Sequence, residues 1–185
     1  MVGVLIVDEQ EVARQGISAF ISKASRIEII GFAQDGLEAF KFIQNCLVKP
    51  DIVLIDLFLP KIGGIKLIEE ICRRFPKIKV IIITDLKNED VALCAIKTGA
   101  FGYLLKDKLD DRILTNAIWS AYYGYGQYDA EIFNSSAKFI ESTNNHVVND
   151  CTLNNTVVEK SEKIEKVEEV EDLKEVEEDL TKSLW

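Results

Sequence analysis

The chain has 185 residues, 48% of them hydrophobic, and its 31 acidic against 22 basic residues give a net charge of −9 at pH 7. That is apolar material for one real core plus an appendage, and the charge denies the chain any broad electrostatic hold on DNA or RNA. Four widely spaced cysteines (Cys46, Cys72, Cys94, Cys151), no CxxC and a lone histidine, His146, argue against a zinc centre or a disulfide frame and for reduced thiols in a cytosol-like compartment.

Taken in order, Val2 to Val7 reads as a short apolar strand ending on two adjacent acids, Asp8 and Glu9. Met1 leads straight into that strand with no basic segment, so no signal peptide is expected, and no apolar run is long enough to span a bilayer. Glu11 to Lys23 carries Val12, Ile17, Phe20 and Ile21 near helical spacing and predicts an amphipathic first helix. Ile27 to Ala33 is strand-like, broken by Gly31 and closed by Asp35-Gly36. Leu37, Phe40, Phe42, Ile43 and Leu47 predict a second helix stopped by Pro50. Asp51 to Ile55 follows as the central strand, its Val53-Leu54-Ile55 run typical of a strand buried on both faces, and it stops on Asp56. A third helix runs from about Ile65 to Phe75 and ends at Pro76; Lys79 to Ile83 is a fourth strand closing on Thr84-Asp85. Asn88 can cap a fourth helix that Gly99 ends. Phe101 to Leu105 is a fifth strand ending on Lys106, and Leu109 to Tyr123 a fifth helix.

Strands alternating with helices predict a doubly wound α/β fold, a five-stranded parallel sheet with helices on both faces. Its strand ends carry Asp8-Glu9, Asp56, Thr84 and Lys106. A single Asp beside a loop is usually a turn cap, which is the bland reading of Asp56. Four polar groups delivered to one sheet edge, where open α/β sheets bind ligands, are poorly explained as four caps. Two or three carboxylates suit Mg2+, a carboxylate can be a phosphoryl nucleophile, and a lysine with a hydroxyl can neutralise and orient the transferring group.

With these residues in place, the chain resembles the receiver domain of two-component response regulators, in particular the NarL/FixJ type. The pieces that carry the resemblance are VLIVDEQ (4–10), DIVLIDLFLP (51–60), IIITD (81–85) and GAFGYLLKD (99–107). The resemblance implies a flavodoxin-like strand order 2-1-3-4-5. It implies Asp56 as phosphoacceptor, with Thr84 and Lys106 completing the catalytic set, and Tyr103 as the switch aromatic. It implies Mg2+ held by Asp8, Glu9, Asp56 and the backbone carbonyl of Phe58. A sensor histidine kinase is the implied phosphodonor. The resemblance also admits a homodimer through the face of the fourth helix, fifth strand and fifth helix, or through another receiver face, and a partner in the transcription machinery.

Some positions depart from the family pattern. The acidic pair is Asp8-Glu9 rather than Asp-Asp or Glu-Asp, Gln10 stands where a histidine is common, and Gly63 where an Asp is frequent. Glu9 is one methylene longer, which shifts its carboxylate or interposes a water.

The organisation expected is a receiver over 1–125, a linker over 126–157 and an acidic helical or disordered tail over 158–185. Residues 159–185 hold 11 acidic and 5 basic residues, a net −6, leaving the body nearly neutral. Only 43 residues follow Ser142, too few and too acidic for the family's helix-turn-helix output domain. The tail's apolar positions, Ile164, Val167, Val170, Leu173, Val176, Leu180 and Leu184, precess around a helix instead of lining a coiled-coil seam. The expectation is therefore a Mg2+-dependent phosphoacceptor protein, not an enzyme in the ordinary sense, that regulates transcription without reading DNA alone. The alternatives are a full DNA-binding regulator with a divergent output segment and a pseudo-receiver that takes no phosphate. A lysine-to-arginine ratio of 17 to 5 fits an AT-rich genome, so the expected location is the cytoplasm, or the plastid stroma of an alga if plastid-encoded.

Overall fold

Short runs of Val, Ile and Leu bounded by turn residues cannot satisfy their backbone polar groups alone, and here they find their partners in one another. In the computed structural model, which describes residues 1–130 and 132, six strands form one parallel sheet in the order β2-β1-β3-β4-β5-β6. The strands are β1 (Val2–Val7), β2 (Ile27–Ala33), β3 (Ile52–Ile55), β4 (Lys79–Thr84), β5 (Gly102–Leu105) and β6 (Gln127–Tyr128). The helices are α1 (Glu11–Ile21), α2 (Gly36–Asn45), α3 (Gly64–Arg74), α4 (Glu89–Thr98) and α5 (Asp111–Tyr122). The expected flavodoxin-like architecture is thus present. No helix among the described residues is long and apolar enough to cross a membrane.

Because side chains alternate along a strand, each central strand is apolar on both faces and each face needs its own helical cover. On one face Ile17 and Ile21 of α1 and Leu114, Ala117, Ile118 and Ala121 of α5 bury Val4, Ile6, Leu54, Ile81, Ile83 and Leu104. The alternate residues Leu5, Val7, Val53, Ile55, Val80, Ile82 and Tyr103 are buried too, on the side of the α2-α3-α4 layer. Helix starts are fixed by side-chain caps: Asp35, Asn88 and Asp110 accept from the N–H groups of Glu38, Val91 and Ile113. Gly99, at φ 118°, closes α4 in the left-handed region.

The strand order reverses between β1 and β3, which sit side by side although β2 lies between them in sequence. The two strand ends that carry Asp8 and Asp56 are therefore neighbours at the topological switch point, the natural crevice of such a sheet.

Four details differ from the sequence reading. Val12 is not on the packed face of α1 but 80% exposed, because Ile17 and Ile21 already fill the contact with the sheet. The second helix stops at Asn45, well before Pro50, and leaves Leu47 fully in solvent. Gly31 does not break β2; the register slips there, Val4 pairing with Ile29 and Leu5 with Gly31, and the ring of Phe42 occupies the space a side chain at 31 would need. Finally, β6 adds a sixth strand inside the stretch expected to be linker. Gln127 N–H and Asp129 N–H donate to the carbonyls of Phe101 and Tyr103, pairing the edge of β5. A two-residue strand has no apolar run to announce it. His146, the rest of the expected linker and the acidic tail lie outside the described residues.

Gly64 opens α3 directly against the end of β3: a Cβ there would lie 2.7 Å from the carbonyl oxygen of Asp56 and from Leu57 Cα, backbone that cannot yield. Gly16, exposed in the middle of α1, has nothing within 4 Å. We therefore expect Gly64→Ala to destabilise the fold by about 2 kcal/mol or more through overpacking. Gly16→Ala should stabilise it by about 0.5–1 kcal/mol through helix propensity. Urea unfolding of both variants checks the contrast.

Candidate functional site

Asp8 and Asp56 leave their strands in the same way. Each backbone N–H still belongs to the sheet, Asp8 donating to Ala33 O at 3.1 Å and Asp56 to Val7 O at 2.9 Å. Each carboxylate then ties one oxygen to its own loop. Asp8 Oδ1 accepts from Gln10 N–H at 2.9 Å, and Asp56 Oδ1 accepts from Leu57 N–H at 2.7 Å. The second oxygens are left for a common centre, and both residues are buried.

Lys106 reaches that centre from the 3₁₀ turn Lys106–Lys108 after β5. Its Nζ stands 2.7 Å from Asp8 Oδ2 and donates to Asp56 Oδ2 at 2.9 Å. Burial works against the ammonium, yet the two carboxylates outweigh it and hold its pKa above the ordinary lysine value. Asp8 Oδ2 is a buried oxygen whose close partner is this ammonium, as an ion pair, with no further hydrogen bond. Two buried carboxylate oxygens gathered around one cation are the kind of donor set a hard dication takes, completed by main-chain oxygen and water. The residues present fit Mg2+.

Thr84 ends β4 fully buried, its Oγ1 accepting a long 3.4 Å contact from Leu86 N–H. Tyr103, also fully buried, donates its hydroxyl to Leu86 O at 2.7 Å. Burial, and then the charge of Asp56, push the Tyr103 pKa well above the usual phenol value, so the hydroxyl stays a donor. Residue 86 is thus gripped from both sides by two of the residues singled out in the sequence.

Asp8, Asp56 and Lys106 come together; Thr84 and Tyr103 stand beside them on β4 and β5. Phe58 follows Asp56 in the loop and is 53% exposed. Glu9 is exposed, and among the described residues no group of three His, Cys, Asp or Glu side chains is close enough to hold a metal ion. The acids that converge are Asp8 and Asp56. Sequence reasoning passed over Arg14, whose Nη1 donates to the carbonyls of Asp8 at 2.6 Å and Glu9 at 2.9 Å and fixes the turn that presents them. The signal was faint, a single arginine one turn into α1. It also passed over Asp35 and Lys61, an ion pair at 2.8 Å.

Residues 4–118 match the response regulator receiver domain. The chain belongs to the response regulator receiver family. This receiver is 36% identical over 106 residues to the transcriptional regulatory protein LiaR of Bacillus subtilis, covering 57% of this chain and 49% of that one. It is 30% identical over 148 residues to the oxygen regulatory protein NreC of Staphylococcus aureus, covering 79% and 67%. It spans about half the length of the first curated relatives it matches. Among solved structures it is similar to a LuxR-family response regulator of Aurantimonas (26% identity, TM-score 0.66, 77% of this chain and 98% of that one). It is also similar to the receiver domain of a NarL response regulator of Mycobacterium tuberculosis (26%, TM-score 0.61, 66% and 97%). The Aurantimonas protein is a two-component response regulator.

Removing the ammonium tests how much the receiver depends on it. In metal-free buffer Lys106→Met should cost about 3 kcal/mol at pH 7, since it leaves two buried carboxylates facing each other. Urea unfolding of wild type and variant at pH 7 in metal-free buffer checks the loss.

Proposed function

We propose that this chain is a phosphorylatable response regulator in which Asp56 accepts a phosphoryl group from a phosphohistidine of a sensor histidine kinase. The supporting observation is the pair of buried carboxylates bridged by one ammonium, with Asp56 the member at the end of the central strand. In the reaction an oxygen of Asp56 bonds to phosphorus, the P–N bond breaks, and the imidazole nitrogen keeps the electron pair. Such a transfer needs positioning and charge neutralisation more than covalent help. Lys106 neutralises an incoming anionic oxygen, and Thr84 offers its hydroxyl to another. Asp8, Asp56, the Phe58 carbonyl and, through water, Glu9 would hold Mg2+, which supplies further neutralisation of the transferring oxygens when bound. The chain promotes only its own phosphorylation and dephosphorylation.

Readout follows from residue 86. If Thr84 turns its hydroxyl to a phosphoryl oxygen, Leu86 N–H loses its acceptor while Tyr103 still holds Leu86 O. The loop into α4 must then choose a second packing, and charge biases that choice. The face of α4, β5 and α5 is where a change reaches a homodimer or a partner in the transcription machinery. Regulation of transcription fits the relatives' roles, in the cytoplasm or, for a plastid-encoded chain, the stroma; DNA reading by this chain alone is not proposed. A pseudo-receiver is disfavoured by the retained Asp56, Thr84 and Lys106.

Incubation with acetyl phosphate and Mg2+, followed by intact-mass measurement, should add one phosphoryl group to wild type and none to Asp56→Asn. Uptake by Asp56→Asn at the wild-type rate would sink the assignment. Amide exchange of the phosphorylated protein should change over residues 85–123, and Tyr103→Phe should shrink that change. A phosphorylated protein with unaltered exchange there would rule out this route of readout.

A further inference from the structure

Between β3 and α3 the chain must turn back within a few residues while keeping Asp56 at its head. The loop is closed at its base by Gly64 N–H donating to Leu57 O at 3.1 Å, and Leu57 and Leu59 anchor it in the core. Its tip is unusual. Ile62 N–H donates to Pro60 O at 2.8 Å across a single residue, and that residue, Lys61, has φ of 65°. A two-residue-spaced hydrogen bond around a positive φ is a γ-turn of the strained kind, rare for any residue with a side chain. Glycine would take it without cost; lysine stands there instead.

The structure offers a reason. Lys61 Nζ lies 2.8 Å from Asp35 Oδ2, and the Asp35 side chain is only 4% exposed. Asp35 Oδ1 is already committed to Glu38 N–H at 2.7 Å as the cap of α2, which orients the remaining oxygen towards the loop. Gly36 seats the tip: its N–H donates to Pro60 O at 3.4 Å, and a Cβ there would collide with Ile62 O. A buried carboxylate needs a partner, so the ammonium cannot leave cheaply. Strain of this sort persists only where the surroundings over-determine it.

We propose that Asp35 and Lys61 are positioning residues for the phosphoacceptor site: their ion pair holds the 57–63 loop, and with it Phe58, against the start of α2. Neither touches the reacting group. They fix the segment that follows Asp56, and so the main-chain oxygen of Phe58 available to a cation. This inference rests on the reading of Asp56 as phosphoacceptor.

Three variants separate the ion pair from the fold around it. Lys61→Gly removes the amine and also the strain; Asp35→Asn keeps a cap acceptor for α2 and removes the charge; Lys61→Arg keeps the charge. In the metal-free protein, Lys61→Gly and Asp35→Asn should speed amide exchange at Ile62 and Gly64. Calorimetry should show both weakening Mg2+ binding by about tenfold, the scale of loss when a group supporting a metal ligand is removed. Lys61→Arg should restore both readouts. Wild-type exchange and wild-type Mg2+ affinity in Lys61→Gly and Asp35→Asn would overturn the proposal. A wild-type chain that binds no Mg2+ and takes no phosphate would overturn the functional reading beneath it, and is told apart because the exchange contrast persists.

Discussion

Two carboxylates side by side in a buried crevice cannot both stay charged without a cation between them. That constraint organises this receiver. The parallel sheet puts Asp8 and Asp56 on adjacent strands at the point where the strand order reverses, and backbone N–H groups pin one oxygen of each. What remains is a pair of oxygens that the protein does not satisfy with donors of its own, save one ammonium. Lys106 holds the fold together at this point and at the same time keeps a positive charge beside the carboxylate proposed to accept a phosphoryl group. Stability and function draw on the same contact, so a cation or a phosphoryl group arriving there changes the electrostatics of the whole strand edge.

The consequences run outward along short covalent paths. Lys106 follows β5 directly, and Tyr103 lies three residues earlier on that strand, reaching Leu86 beyond the end of β4. Thr84 touches the same residue from the other side. A change in charge at Asp56 therefore acts on neighbours that already share a hydrogen-bonded loop residue, and no long pathway is needed to carry it to α4. On the opposite side, Asp35 and Lys61 bind the loop after Asp56 to the start of α2. The site thus lies between the contacts of Leu86 on one side and the Asp35–Lys61 ion pair on the other.

Much of this was legible in the sequence because it is written in local pattern. Alternating apolar runs and helical stripes fix the βα order, the crossover rule fixes the winding, and an acid or lysine directly after an apolar run must fall at the sheet's carboxyl edge. Asp8, Asp56, Thr84, Tyr103 and Lys106 could be placed in that way, since each is attached to a strand whose position is set by hydrophobicity. The family resemblance over the same residues added their roles.

Tertiary structure decided whatever depends on partners distant in sequence. The exposure of Val12 and Leu47 was settled by how much of each helix the sheet can cover, a matter of geometry that periodicity does not contain. The slip of β2 falls at Gly31, where the ring of Phe42 fills the space of a side chain, and β6 pairs the edge of β5 with a two-residue segment. Glu9 reads like a twin of Asp8, yet Asp8 is buried and Glu9 exposed, a difference that only folding makes. Arg14 on the turn of Asp8 and Glu9, and Lys61 on Asp35, are contacts between loops that the sequence lists without joining. Local chemistry names the groups that can act; the packing of one loop against another determines which of them meet.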